Sequence, residues 1–174
     1  MTLLASVAEL NTLLQDEVDN DVAEQALAMS SAMVRNYTRQ TITEETSTGV
    51  VVRPHGRLLF LPELPVDADS LAVTVDGEAF TDFDVDARTG IVRRDDGRAW
   101  PETVTVTYTH GHSEVPDDVR FVTLSLASRQ IDNPEGVSTK QTPDIGSVTY
   151  AEGQGQPGLR RWEKMLLDQY RVSL

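Results

Sequence analysis

The chain has 174 residues, no cysteine, and 28 acidic against 15 basic side chains, a formal charge of −13. The lack of cysteine excludes a disulfide framework, a thiolate metal site and a cysteine nucleophile. The acidity argues against ordinary nucleic-acid binding, which uses basic patches to displace counterions from phosphates. No apolar run approaches the roughly 20 residues of a membrane-spanning helix, and the opening MTLLASVAEL lacks the basic flank and long apolar stretch of a signal peptide, so a soluble cytoplasmic product is expected.

Ser6, followed three residues later by Glu9, has the form of a capping box and predicts a short helix over 5–15. Asn20 or Asp21 then caps a longer helix. Its apolar stripe is predicted as Val22, Ala26, Met29, Met33 and Tyr37, with Glu24, Arg35 and Arg39 facing water. Residues 41–49 turn to threonine, glutamate and glycine, a linker into extended structure.

Seven short strands are predicted next: 50–53, 57–61, 71–75, 78–80, 83–85, 91–94 and 103–109. Asp76-Gly77 is a strong hairpin signal, because both central residues of a type I′ turn need positive φ. Thr89-Gly90 and Asp96-Gly97 give further turns, and the close spacing suggests a small antiparallel sandwich or barrel. In the last strand Val104, Val106 and Tyr108 alternate with Thr105, Thr107 and Thr109, the two-residue repeat of a half-buried strand. Helix then returns. Pro116 fits the first helical turn, where no intrahelical N–H partner exists, and Asp117 and Asp118 sit at the positive end of the helix dipole.

That helix is predicted to run to about Ile131, with Val119, Val122, Leu126 and Ile131 on one face and Phe121 and Leu124 widening it. Asn133-Pro134 and Gly136 end it. Residues 134–146 are polar, with two prolines and two glycines, and read as an exposed loop or mobile arm. A short strand over 147–150 and the glycine-rich 153–158 lead to a basic amphipathic helix over about 159–171, with Leu159, Trp162, Leu166 and Tyr170 sharing a face.

Residues 116–174 carry 8 acids and 7 bases, so the end of the chain is nearly balanced. Its bases Arg160, Arg161, Lys164 and Arg171 mark either the part best suited to an acidic partner or simply a solvated helix face. His110 and His112 lie on one side of a continued strand, but Gly111 intervenes and no third ligand has suitable spacing, which favours a turn histidine over a metal site. Asp82, Asp84 and Asp86 imitate a calcium loop. An EF-hand loop begun at Asp82 needs glycine sixth and glutamate twelfth, where this chain has Ala87 and Arg93, so a strand with Phe83 and Val85 inward is the better reading. There is no Gly-rich phosphate loop, G-x-S-x-G or H-E-x-x-H. No catalytic, cofactor-binding or metal residue is assigned; the chemistry expected is that of surfaces.

The opening LASVAELNTLL with DEVDNDVAEQALAMSSAMVRNYTRQTI, the phrase VTYTHGHSEVPDDV, the segment IDNPEGV and the tail SVTYAEG with GLRRWEKMLLDQYR together resemble head-tail connector proteins of long-tailed viruses, also called adaptor or head-completion proteins. The resemblance rests on the order and spacing of these words over nearly the whole chain. The expected fold is α+β: a helical core of about four helices over 1–48 and 116–133, an inserted antiparallel β lobe over 49–115, and an arm over 134–174 ending in an amphipathic helix.

The resemblance further implies a ring of about twelve copies below the portal, in the virion neck, assembled in the host cytoplasm. Such a ring extends the DNA channel, docks the next neck or tail component, lets double-stranded DNA pass without reading its sequence, and involves no membrane or cofactor. Its C-terminal segment would reach the portal protein, with Arg160, Arg161, Trp162, Lys164, Leu166 and Tyr170 as contact residues. Trp162, Leu166 and Tyr170 would be the anchors, because buried aromatics tend to be interface hot spots; the alternative is that they fold back on the chain's own core. Two rival readings are another viral neck or tail-completion protein and a β-sandwich ligand-binding module. The second would present an aromatic platform, yet Phe60, Phe80, Phe83, Trp100 and Tyr108 mostly alternate inward.

Overall fold

The computed structural model describes residues 2–133, 139–142, 146–149 and 158–172. The chain divides into two compact units, residues 1–38 with 115–171, and residues 39–114 with 172–174.

The first unit is helical. Helix α1 (Val7–Leu14) begins at the expected capping box: Glu9 N donates to Ser6 Oγ at 3.3 Å, and Ser6 N donates to Glu9 Oε2 at 2.7 Å. Helix α2 (Asn20–Thr38) is capped one residue earlier than the sequence suggests, by Asp19, whose Oδ1 accepts from the Asp21 and Val22 amides at 3.0 and 3.3 Å. Its buried face is also not the predicted stripe. Ala23, Ala26, Leu27, Ser30, Ser31, Val34 and Thr38 point inward, while Val22 and Met29 remain 48% and 49% exposed. The face is turned by one residue, about 100° of helix. Large apolar side chains outline the stripe in the sequence, but the small residues Ala23, Ala26 and Ser30 let another helix approach closely.

Helix α3 (Asp117–Asp132) has Pro116 at its N-cap, φ −57° and ψ 143°, just before the first helical residue where the sequence placed it. Asp117 and Asp118 occupy the first turn, as their affinity for the helix dipole suggests. Val119, Val122, Thr123, Leu126 and Ala127 are buried. Phe121, expected to widen that face, is 52% exposed. Ala5, Leu10, Ala23, Ala26, Leu27 and Ala127 form a core cluster, with Leu124 and Ile131 half-buried against it. Two buried serines accept across the unit: Leu4 N donates to Ser31 Oγ at 3.1 Å, and Gln130 Nε2 to Ser30 Oγ at 3.3 Å.

The second unit is an antiparallel lobe of seven strands: β1 (Glu45–Val52), β2 (Leu58–Phe60), β3 (Ala72–Val75), β4 (Glu78–Phe80), β5 (Phe83–Asp86), β6 (Ile91–Arg94) and β7 (Val104–His110). They form a four-stranded sheet ordered β1-β7-β3-β4 and a three-stranded sheet ordered β2-β6-β5. Leu59, Val73, Val92, Val104, Val106 and Tyr108 from both sheets join Leu61, Val66 and Trp100 in one apolar cluster, the arrangement of a small sandwich. The Asp76-Gly77 turn has φ of 52° and 88°, as the hairpin signal requires. Phe83 and Val85 are half-buried and Asp82, Asp84 and Asp86 exposed, as expected of a strand. Asp86 accepts from the amides of Arg88 and Thr89, and hydrogen bonding from Thr89 holds its carboxyl below the usual range.

Strand β1 starts at Glu45, inside the predicted linker. Its hydroxyls join the pairing with β7: Thr46 Oγ1 and Thr109 Oγ1 are 2.9 Å apart, and the register shifts between Ser47 and Val50, beside Gly49. His110 is the buried last residue of β7, 2.9 Å through Nε2 from Ser47 Oγ, so it is not a turn histidine. Gly111 follows at φ 89°, where an added Cβ would lie 2.4 Å from the Thr43 carbonyl oxygen. Only glycine fits that approach.

In the C-terminal arm the backbone forms a hairpin, β8 (Thr139–Thr142) with β9 (Gly146–Thr149), where a single strand over 147–150 was expected. The rest of that expectation, the polar stretches at 134–138 and 143–145, Tyr150 and the glycine-rich 151–157, lies outside the described residues. Helix α4 (Arg161–Leu167) and a 3-10 turn (Asp168–Tyr170) follow, shorter than the predicted helix.

Candidate functional site

The C-terminal segment is held to α3 by a charge pair that the sequence reading missed. Glu163 is completely buried. Arg129 on α3 meets it with two parallel bonds, Nη1 to Oε1 at 2.6 Å and Nη2 to Oε2 at 3.0 Å. Its remaining acceptor capacity is used by Arg160 N at 2.7 Å and Ser125 Oγ at 3.3 Å. Arg129 Nη2 also donates to the Gly158 carbonyl at 3.2 Å, tying down the chain just before the helix. A buried carboxylate needs this degree of satisfaction, since an unpaired one would cost several kcal/mol, on the order of 3–5. The signal available in the sequence was the spacing of Glu163 three residues after the helix-opening Arg160, which is that of a capping box.

Further ties follow along the segment. Leu167 is fully buried. Tyr37 on α2 donates its hydroxyl to Asp168 Oδ1 at 2.6 Å, which raises the Tyr37 pKa, and the Arg171 guanidinium lies 5.6 Å from the Tyr37 ring centre. Gln169 Nε2 donates to Asp118 Oδ2 at 2.8 Å. Burial, with Asp118 and Asp117 nearby, raises the pKa of the Tyr170 hydroxyl.

These contacts separate the six residues singled out from the sequence. Arg160, Leu166 and Tyr170 are half-buried and belong to the seat of the segment. Arg161, Trp162 and Lys164 face outward. The expected shared face of Leu159, Trp162, Leu166 and Tyr170 is therefore broken at Trp162, because Glu163 and Leu167 form the inner line. Trp162 instead lies against Phe121, ring centres 5.7 Å apart, at 38% exposure. Met165, at 67%, extends the same outer surface, which the sequence reading did not include. The result is an apolar patch of Phe121, Trp162 and Met165 edged by Arg161 and Lys164.

Other surfaces offer less chemistry. An open groove of about 650 Å³ is lined by residues 2–7, Glu9, Val115 and Arg120. Arg120 is already engaged there by Glu9 and Asp117, each at 3.6 Å, and by the Val115 carbonyl. Among the described residues no three His, Asp or Glu side chains are placed to hold a metal ion, and no helix is long and apolar enough to cross a membrane. In the β lobe Trp100 and Tyr108 are buried and Phe80 and Phe83 half-buried, which leaves Phe60 as its exposed aromatic among the described residues and no aromatic platform.

The architecture is that of an α+β protein, four helices with a small antiparallel β lobe. No protein-family model matches the sequence, and no curated protein matches it. Solved structures share the fold. A chain in the neck of an empty gene transfer agent (GTA) particle, computed with C6 symmetry, superposes with a TM-score of 0.64 at 13% identity, over 97% of this chain and 89% of that one. A chain in the neck of a native GTA particle, computed with C12 symmetry, gives 0.57 at 15% identity, over 97% and 88%.

Proposed function

We propose that this protein is a structural subunit of a virion neck. It assembles with copies of itself into a ring that extends the DNA channel between the portal and the next neck or tail component. The observation that carries this reading is the correspondence of fold over 97% of the chain with a neck protein at 13% identity, helices and β lobe together. The order of the sequence words quoted above supports the narrower assignment to a head-tail connector. The excess of 13 negative charges suits a wall past which DNA must slide, since like charge repels phosphate and reduces adhesion. The protein acts through its surfaces and not as an enzyme, and Arg161, Trp162 and Lys164 belong to a contact between molecules.

The test is location. Necks isolated from purified particles, analysed by mass spectrometry and by gold labelling, are expected to contain the chain in several copies. Loss of its gene is expected to leave filled or empty heads without tails. Finding the chain in the tail tip, or absent from particles, would overturn the reading.

A further inference from the structure

Two exposed apolar surfaces of the helical unit carry opposite charge. One is the patch of Phe121, Trp162 and Met165, 52%, 38% and 67% exposed, edged by the exposed bases Arg161 and Lys164. The other is on α2. Val22 and Met29 lie one turn pair apart on the side away from Ala23, Leu27 and Val34, each about half exposed. The amino end of that helix is ringed by exposed Asp16, Glu17, Asp19, Asp21 and Glu24, and no basic residue occurs in the chain before Arg35.

The two surfaces lie on different flanks of α3. Asp118, Phe121, Ser125 and Arg129 form the line of α3 that meets the C-terminal segment. Ala127, which clusters with Ala23 and Leu27 of α2, is about 200° around the helix from Ser125 at 100° per residue. The segment also meets α2 at Tyr37, about two turns beyond Met29, yet the patch and the Val22–Met29 face both remain exposed, so one molecule does not seat its own patch on its own outer α2 face. Two copies can, and a contact between unlike surfaces of identical subunits propagates head to tail, the geometry that closes into rings.

We infer that the Phe121–Trp162–Met165 patch of one copy seats on the Val22–Met29 face of α2 in the next, with Arg161 and Lys164 set against the acidic amino end of that helix. This rests on the ring reading above and names the partner of its C-terminal surface: a second copy of this chain, not the portal protein. The occupant follows from charge, because a basic-edged aromatic patch faces an acidic-edged aliphatic one, and complementary potentials select partner and register. It also accounts for α2 leaving Val22 and Met29 outward.

The absence of native cysteine allows a direct test. Full-length Met29→Cys and Met165→Cys proteins, mixed in equal amounts with a short bis-maleimide, are expected to give the mixed dimer with little of either homodimer. The chain carrying both substitutions is expected to give a ladder of oligomers. Yield should fall several-fold at 1 M salt, where the Debye length is about 3 Å.

Charge reversal checks the pairing. Asp21→Lys/Glu24→Lys and Arg161→Glu/Lys164→Glu, introduced separately into the doubly substituted chain, should each abolish the ladder. Mixing the two charge-reversed proteins should restore it, because each then presents the sign the other needs on both faces. Equal proportions of homodimers and mixed dimer, or a ladder indifferent to charge reversal, would overturn the inference. So would a patch that serves the portal: Arg161→Glu/Lys164→Glu would then lose binding to isolated portal protein, Asp21→Lys/Glu24→Lys would keep it, and mixing would restore nothing. In each of these cases the neck reading would stand, since it falls only if the chain is missing from isolated necks.

Discussion

The two units are stabilised differently. The β lobe has a core of large apolar side chains, Leu59, Leu61, Val92, Trp100, Val106 and Tyr108, contributed by facing sheets. The helical unit also buries leucines and valines, Leu4, Leu10, Leu27, Val34, Leu126 and Leu167 among them, but it sets them beside the small Ala23, Ala26 and Ala127 and beside more buried polar groups, Ser30, Ser31, Thr38, Thr123 and Glu163. Hydrophobic burial scales with apolar area, so the lobe draws its stability from volume. The helical unit adds to such burial a larger set of buried polar groups, whose hydrogen bonds are specific in geometry and costly when broken. Both units leave large apolar side chains outside, Val51 and Phe60 in the lobe and Val22, Met29, Phe121 and Met165 in the helical unit.

The comparison is broken most severely at Glu163. Glu163→Ala leaves Arg129 in a mostly buried site without its carboxylate, and should destabilise the helical unit by about 3–5 kcal/mol. The two tryptophans, Trp100 in the lobe and Trp162 in the helical unit, allow each unit to be followed separately in denaturant with the other replaced by phenylalanine. Urea transitions in which the Trp100 signal shifts as much as the Trp162 signal would contradict separate stabilisation.

Truncating one fully buried leucine in each unit sharpens the contrast. Leu59→Ala and Leu27→Ala should each cost about 2–5 kcal/mol, with Leu59 the larger, because two facing sheets close less readily over a cavity than helices lined by alanine. Equal shifts in the denaturation midpoints would remove that distinction. Ser31→Ala comes next at about 1–3 kcal/mol, since the Leu4 amide would be left buried without its acceptor. An unchanged midpoint, or rapid hydrogen exchange at Leu4 in the unaltered protein, would show that this bond is not holding the N-terminal segment.

The smallest effect is in pH. Burial holds the His112 imidazole below its ordinary value near 6.5, so the unfolded chain binds the proton first. The contribution of neutral His112 to the lobe is present above about pH 6.5 and is lost as pH falls through the lower folded value. Glu9 in the helical unit is also held low, by its hydrogen bonds from Ser6, but as a carboxylate it loses its contribution only below about pH 4.5. Acidification from pH 7.5 to 5 should therefore weaken the lobe before the helical unit, by chemical denaturation read at Trp100 and Trp162. His112→Gln should flatten the lobe's dependence; an unchanged slope would assign it to another group.

Local signals were read correctly where neighbouring residues decide the outcome. The Ser6–Glu9 capping box, the Asp76-Gly77 hairpin and the alternation of Val104, Val106 and Tyr108 each depend on backbone geometry within a few residues. The buried face of α2 differs from the periodic stripe because two stripes one residue apart compete, and packing buries the one that combines Leu27 and Val34 with the small Ala23, Ser30 and Ser31. His110 was read as a turn residue because its partner, Ser47, is 63 residues away and the strand that supplies it looked like a linker. Of the six C-terminal residues singled out from the sequence, Arg161, Trp162 and Lys164 face outward and Arg160, Leu166 and Tyr170 are half-buried. It did not show that Glu163 fixes the segment, or that Phe121 and Met165 complete the patch.

By itself, then, the sequence determined the element order, the turns, the β insertion between helices, the cysteine-free acidic character and a segment of interest at the C-terminus. These follow from local conformational preference and from composition. Only the tertiary structure decided which face of each helix is buried, that Arg129 and Glu163 meet 34 residues apart, and that apolar surfaces of opposite charge are left on two flanks of α3. Those depend on how distant segments fill one another's space, and packing complementarity between surfaces is not written in the period of either one.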